Sequence, residues 1–248
     1  MLLDLNAAAL VACFGLACAL SGGSVSGVRR LVLAVFPSAM MVSLLVGAVD
    51  ILSDLANPAD LLPTVGQALI PIAYLSLGYF LFSLYPATDA ASSTANDRQH
   101  PIAGATLGLL VIGVSCSAGS ALVSFVSFGA FLYFGLSISI LLLVSRWQTS
   151  TKQISLIIEK LPFFGVAPLF ASLILMLINF SDPAAIGPVM AFGLLSCLYC
   201  LVTSILLTLA FPQHASRATP VQHLGLFCVF FMFMNFKFDV LFHLLQAH

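Results

Sequence analysis

Long apolar runs recur from one end of this chain to the other, and that recurrence decides which solvent it can fold in. A helix crossing a bilayer needs about 20 apolar residues, because hydrocarbon offers no partner for backbone N–H and C=O groups and the segment must satisfy its own. The chain has 248 residues, of which 61% are hydrophobic and only 7% charged. Its mean hydropathy is +1.13. A soluble domain carries about 25% charged residues to cover its surface, so water is not the main solvent here. The sequence predicts an all-α, polytopic integral membrane helix bundle.

Polar, Gly and Pro punctuation divides the chain into about eight candidate helices. They run Leu5–Leu20, Leu31–Leu52, Leu62–Tyr85, Ile102–Ala118, Leu122–Val144, Leu161–Asn179, Ala185–Phe211 and Val221–Leu245. The first lacks the basic region of a signal peptide and carries only Asp4 before its apolar run, which predicts a retained helix. Residues 87–100 have the Ser/Thr/Asp/Asn composition of a flexible linker. The organisation expected is a first membrane repeat over 1–86, the linker, a second over 101–212, and an additional C-terminal helix within 213–248.

Basic residues favour the cytoplasmic ends of membrane helices. With helices alternating in direction, Arg29, Arg30, Arg98, Arg146, Lys152, Lys160 and Arg217 all fall on one side. The loops expected opposite, around Asn57-Pro58, Gly119-Ser120 and Ser181-Asp182-Pro183, hold no Lys or Arg. Both termini are therefore expected outside. An internal repeat agrees with this topology: Pro37, Pro58, Pro63 and Tyr74 recur as Pro162, Pro183, Pro188 and Tyr199, each at a step of 125 residues without a gap. A step of four helices makes the repeat parallel, related by an axis along the membrane normal.

Other chemistry is sparse. The net charge of −1 and the lack of a basic stripe give no case for nucleic acid. The six cysteines, Cys13, Cys18, Cys116, Cys197, Cys200 and Cys228, lie in apolar runs and read as small hydrophobes. Cys197 and Cys200 have redox-motif spacing without the βαβ setting that motif needs. His100, His214 and His223 sit beside loops and match no metal-ligand spacing. Asp50 and Asp54 lie one turn apart near a helix end, where an interfacial role suffices. Small residues from Ser115 to Ser139 read as close-packing contacts between helices. No nucleophile–base pair or phosphate loop stands out, so neither an enzyme nor a cofactor is expected.

Leu161-Pro162-Phe163-Phe164-Gly165 and the stretch Phe180-Ser181-Asp182-Pro183-Ala184-Ala185-Ile186-Gly187-Pro188 resemble a hairpin of the MotA/TolQ/ExbB proton-channel family. That hairpin, the third and fourth membrane helices of MotA-like flagellar stator subunits, has a proline near the start of its first helix. A short outer turn follows, then small hydroxyl residues and a Tyr-Gly pair. Gly119-Ser120 is similar to the turn joining that family's first two helices. The resemblance covers about Ile102–Pro212. It implies a subunit of the bacterial inner (cytoplasmic) membrane that assembles as a homo- or hetero-oligomer, with a single-helix MotB/ExbD-like partner bearing an ion-binding Asp. It also implies ion transport beside Pro162, Ser196, Cys197 and Tyr199. The chain departs from the family where Leu169 replaces a Thr, Cys200 replaces a Gly, and Arg146–Lys160 replaces a long rotor-contacting cytoplasmic domain. In the first half, Pro71 and Ile72 replace the hydroxyl pair.

Each candidate also has a plainer role. Pro162 fits the first turn of a helix, where its missing N–H would be unpaired anyway. Ser196 fits a bond back to its own backbone. The C-terminal helix adds Lys237, Asp239 and His243, as snorkelling groups or as an assembly contact; Asp239 and His243, four apart, share a face. A small-solute transporter would need buried charges or broken helices at mid-membrane, which are few. Two readings remain: a MotA-like ion-driven subunit, and a non-conducting scaffold that anchors a larger envelope or secretion assembly. The topology predicts that a cysteine placed at Ser93 is shielded from an impermeant thiol reagent in intact cells and labelled in inverted vesicles. Labelling in intact cells would overturn it.

Overall fold

A computed structural model describes residues 5–53, 61–84, 100–119, 125–146, 150–178 and 183–214. Seven α-helices fill them: α1 (Leu5–Gly22), α2 (Val25–Ser53), α3 (Leu61–Leu84), α4 (Pro101–Gly119), α5 (Phe128–Ser145), α6 (Ser150–Ile178) and α7 (Pro183–Ala210), with a 3-10 turn at Pro212–His214. No strand occurs among the described residues. Four stretches are long and apolar enough to cross a membrane, namely Val25–Asp50, Phe128–Ser145, Gln153–Met176 and Gly187–Ala210. Ala8–Gly22, Leu69–Leu84 and Pro101–Val114 are shorter apolar helices. The all-α class stands, and the surface suits a bilayer: Phe80, Phe131, Leu136 and Leu143 are all exposed. The predicted C-terminal helix, with Lys237, Asp239 and His243, lies outside the described residues, as does residues 87–99 of the linker.

Local chemistry explains the corners. Gly23 takes φ 66°, a left-handed conformation that suits glycine at a helix C-terminus, and its N–H reaches the Ala19 carbonyl at 3.3 Å. Ser24 follows as the cap of α2, its Oγ accepting from the Gly27 N–H at 3.2 Å. Ser127 caps α5 in the same manner, accepting from the Ala130 N–H at 3.5 Å from an extended backbone. That cap explains why α5 starts at Phe128 and not at the predicted Leu122. In the other direction, α2 and α6 start six and eleven residues earlier than hydropathy suggests, at Val25 and Ser150. The polar residues of those first turns, Arg29 and Arg30 in α2 and Gln153, Glu159 and Lys160 in α6, are good helix formers that an apolar-run criterion excludes.

The helices pack as two hairpins, α2 with α3 and α6 with α7, joined by contact between α2 and α7. One core runs through both, from Leu31 and Leu45 of α2 to Leu194, Leu201 and Leu209 of α7. At one end of the bundle Arg29 Nε donates to the Phe82 carbonyl at 3.2 Å, and Arg30 Nη2 donates to the Pro212 carbonyl at 2.5 Å. The His100 N–H meets the Leu20 carbonyl at 2.9 Å at the same end. Both arginines thus sit at helix C-termini, where positive charge suits the helix dipole and the last carbonyls lack partners.

The bounds of α2 and α6 differ by 125 residues at both ends, the step read from the prolines. The packing runs in parallel too: α1 touches α2 and α3, and α5 touches α6 and α7.

Gly23→Val places a β-branched residue in the left-handed region, where an L side chain costs about 1–2 kcal/mol. We expect a lower thermal midpoint in detergent for Gly23→Val and a smaller loss for Gly23→Asn, since Asn tolerates that conformation.

Candidate functional site

The helix α6 is continuous but holds two prolines. Pro162 and Pro168 both lie inside the helix, and each removes the N–H that its i−4 carbonyl would receive. Pro162 stands well inside α6, so its expected place in a first helical turn is corrected; the helix begins at Ser150. The two carbonyls left over belong to Ile158 and Phe164. Both are met from neighbouring helices. Ser204 of α7 donates its hydroxyl to the Ile158 carbonyl at 3.0 Å in a buried setting. Tyr133 of α5 donates to the Phe164 carbonyl at 2.8 Å. A buried carbonyl without a partner costs about 1–3 kcal/mol, so these hydroxyls belong to the reason that α5, α6 and α7 pack as they do.

Small residues bring α6 and α7 together between the prolines. A Cβ on Gly165 would lie 3.0 Å from the Cβ of Cys200 and 3.2 Å from the Cα of Cys197. On the other helix, a Cβ on Gly193 would collide with the Ser172 side chain and approach the Pro168 carbonyl to 3.0 Å. Close approach of this kind, through small side chains, is how membrane helices gain packing contacts without a hydrophobic driving force between them.

Along α7 the seam presents Ser196, Cys200, Ser204 and Thr208 at steps of four, which places them on one side of the helix. All four are buried. Ser196 is 0% exposed and donates to the Phe192 carbonyl at 2.7 Å, within its own helix. Thr208 does the same to Ser204 at 2.7 Å. On α6, Ser172 donates to the Leu169 carbonyl at 2.8 Å. Cys197 is buried beside Gly165, and Cys197 and Cys200 are both free thiols. Tyr199 stands apart from the seam. Its hydroxyl donates to the Phe125 carbonyl at 2.5 Å and accepts from the Ser127 N–H at 3.3 Å, fastening the start of α5 onto α7. Its ring meets Phe134 edge-on at 6.2 Å, a favoured aromatic geometry.

The structure therefore brings Pro162, Ser196 and Cys197 to the contact between α6 and α7 and gives Tyr199 to the contact with α5. Pro168, Ser204, Thr208 and Tyr133 complete the arrangement, and the sequence reading did not single them out. Two signals were available: the four-residue recurrence of small polar side chains along α7, and a second proline six residues after the first. Shifted by 125, the α7 stripe becomes Pro71, Leu75, Tyr79 and Ser83 in α3, and Pro168 becomes Ser43 in α2. The polar seam belongs to the second hairpin.

Among the described residues no three His, Cys, Asp or Glu side chains gather as a metal site. The arrangement is a buried strip of hydroxyls, thiols and proline-released carbonyls within apolar helices. Comparison with protein-family models, curated proteins and solved structures finds no match. The class defined by the fold is thus an all-α protein with four helices fit to cross a membrane.

Removing the Ser204 hydroxyl should matter only while Pro162 is present. Ser204→Ala is expected to destabilise the detergent-solubilised protein by about 1 kcal/mol, because it strands the Ile158 carbonyl. In a Pro162→Ala background the helix supplies its own N–H to that carbonyl, and the same change should cost a few tenths. A double-mutant cycle on unfolding midpoints measures the coupling; equal costs in both backgrounds would show that the bond carries no weight.

Proposed function

We propose that this chain is the membrane subunit of an ion-driven complex of the MotA/TolQ/ExbB kind, built as two parallel repeats in the bacterial inner membrane. In this reading the second hairpin borders the ion path. The observation that carries it is the pairing of two α6 prolines with the buried hydroxyl and thiol stripe of α7. A carbonyl released by a proline at membrane depth needs a donor from the protein or from a wet cavity, and Ser196, Ser204 and Thr208 supply groups that can face water as readily as a carbonyl. The first hairpin, with Leu75 where the second has Cys200, packs instead of conducting. A partner with a single helix and a membrane Asp supplies the titrating group, since the seam holds no carboxylate.

The alternative is a non-conducting scaffold for a larger envelope or secretion assembly. One observation favours it: the hydroxyls of Ser172, Ser196, Ser204 and Thr208 are all committed to backbone carbonyls. The chain between α5 and α6 spans only residues 146–149, too short for a rotor-contacting domain, so no flagellar stator role is expected.

Purification in mild detergent with mass spectrometry of the co-purifying proteins, then proton-flux measurement on the reconstituted complex, separates the two. The conducting reading expects a single-helix partner and a flux that falls at least tenfold in Gly165→Leu, which wedges the seam. A complex with no flux above empty liposomes would leave the scaffold.

A further inference from the structure

Helix α4 closes one face of α1. The His100 N–H meets the Leu20 carbonyl at 2.9 Å. One turn into α4, a Cβ on Gly104 would collide with the Ser21 hydroxyl, lie 3.2 Å from the Ser21 Cβ and approach the Ala17 carbonyl oxygen to 2.7 Å. Helices come this close only where a side chain is missing. Phe14, Ala17, Cys18 and Ser21 follow one another at helical steps along α1, and all four are buried.

The helix that corresponds to α1 in the second half is α5. Moved on by 125, α1 spans residues 130–147, and α5 spans 128–145. The stripe moved by the same step falls on Ser139, Leu142, Leu143 and Arg146. All four are exposed, Leu142 at 52% and Leu143 at 66%. Ser139 donates its hydroxyl to the Gly135 carbonyl of its own helix at 2.8 Å, so the stripe is apolar surface ending in one arginine. Among the described residues, no helix beyond α6 and α7 packs on α5 to the extent that α4 packs on α1.

Two observations name an occupant. Moved on by 125, α4 falls on residues 226–244, within the last apolar run of the chain. The chain is also delivered to the matching end of α5. Gly193 lies against Ser172, Gly165 against Cys200, and Ser204 bonds to Ile158, so α7 runs antiparallel to α6. Continued in that direction, the Pro212–His214 turn comes level with the first turns of α6, which it touches. Only residues 146–149 separate that start from the end of α5. An apolar helix that begins there can run back along α5 from its C-terminal end, as α4 runs back along α1 from Leu20.

We infer that residues 226–244 dock on the Ser139, Leu142 and Leu143 stripe of α5, as α4 docks on α1, and close the face that the described helices leave bare. This docking rests on the two-repeat part of the function proposed above and not on ion movement, so a flux measurement neither supports nor removes it. The rival seat is α3, whose exposed Leu81 lies beside the Phe82 carbonyl that Arg29 holds, at the end of the bundle where Arg30 meets Pro212.

The full-length chain with Cys228→Ala carries Val229→Cys, the counterpart of Gly104. It is paired with Leu142→Cys, the counterpart of Ala17, or with Arg146→Cys, the counterpart of Ser21; two pairs guard against one substitution disturbing the fold. A protease site is placed after Arg217, and native membranes are oxidised with copper phenanthroline before cleavage. The expected result is a C-terminal fragment retained at full chain mass on a non-reducing gel, at least tenfold above the single-cysteine variants, and released by reductant. Leu81→Cys with Val229→Cys should retain none. A fragment set free in both α5 pairs overturns the inference, whether lipid or another protein covers the stripe. Retention through Leu81→Cys overturns it as well. So does linkage found only at twice the chain mass, which would seat the segment of a second copy on α5.

Discussion

A backbone polar group inside an apolar medium must find its partner within the protein, and that requirement shapes this structure more than any pairwise attraction. Where a helix is regular, its own i−4 bonds meet it. Where Pro162 and Pro168 remove N–H donors from α6, the Ile158 and Phe164 carbonyls need donors from elsewhere, and Ser204 and Tyr133 supply them. Those two bonds fix α6 against α7 on one side and α5 on the other. The same requirement operates at the helix ends, where Arg29, Arg30 and the His100 N–H meet the terminal carbonyls of α3, the Pro212 turn and α1.

The first helices of the two hairpins have bounds 125 residues apart, but the hairpins differ in chemistry. The second has two prolines in its first helix, glycines that let the helices close up, and a stripe of hydroxyls and thiols. The first keeps one proline in α2, Pro37, and fills the corresponding stripe positions with Pro71, Leu75, Tyr79 and Ser83. One hairpin thus carries polar contacts between apolar helices. The other contributes Leu31, Val35, Leu45 and their neighbours to the common core, and its α2 is the more enclosed of the two first helices.

The plainer roles weighed for single residues fared unevenly. Ser196 does bond back onto its own helix, as membrane serines commonly do. Pro162 is not a first-turn residue, because the polar stretch before it continues the helix. Tyr199, 125 residues after Tyr74, turns out to hold the α5 cap in place through Phe125 and Ser127. The last role was not legible in one dimension, since its partners lie more than seventy residues away along the chain.

The sequence by itself determined the helical class, seven of the helices to within a few residues at most ends, and the step of 125, because hydrophobic length and proline spacing are local and survive without knowledge of packing. It also placed the basic residues that now cap helix ends at one end of the bundle. Only the tertiary structure decided which helix faces meet. It alone showed that Ser204 and Tyr133 answer the two prolines and that α2 rests on α7. A helix in an apolar sequence has hardly any amphipathic pattern to reveal its buried side, so the partner of each face is set by close approach and by hydrogen-bond satisfaction, which exist only between elements.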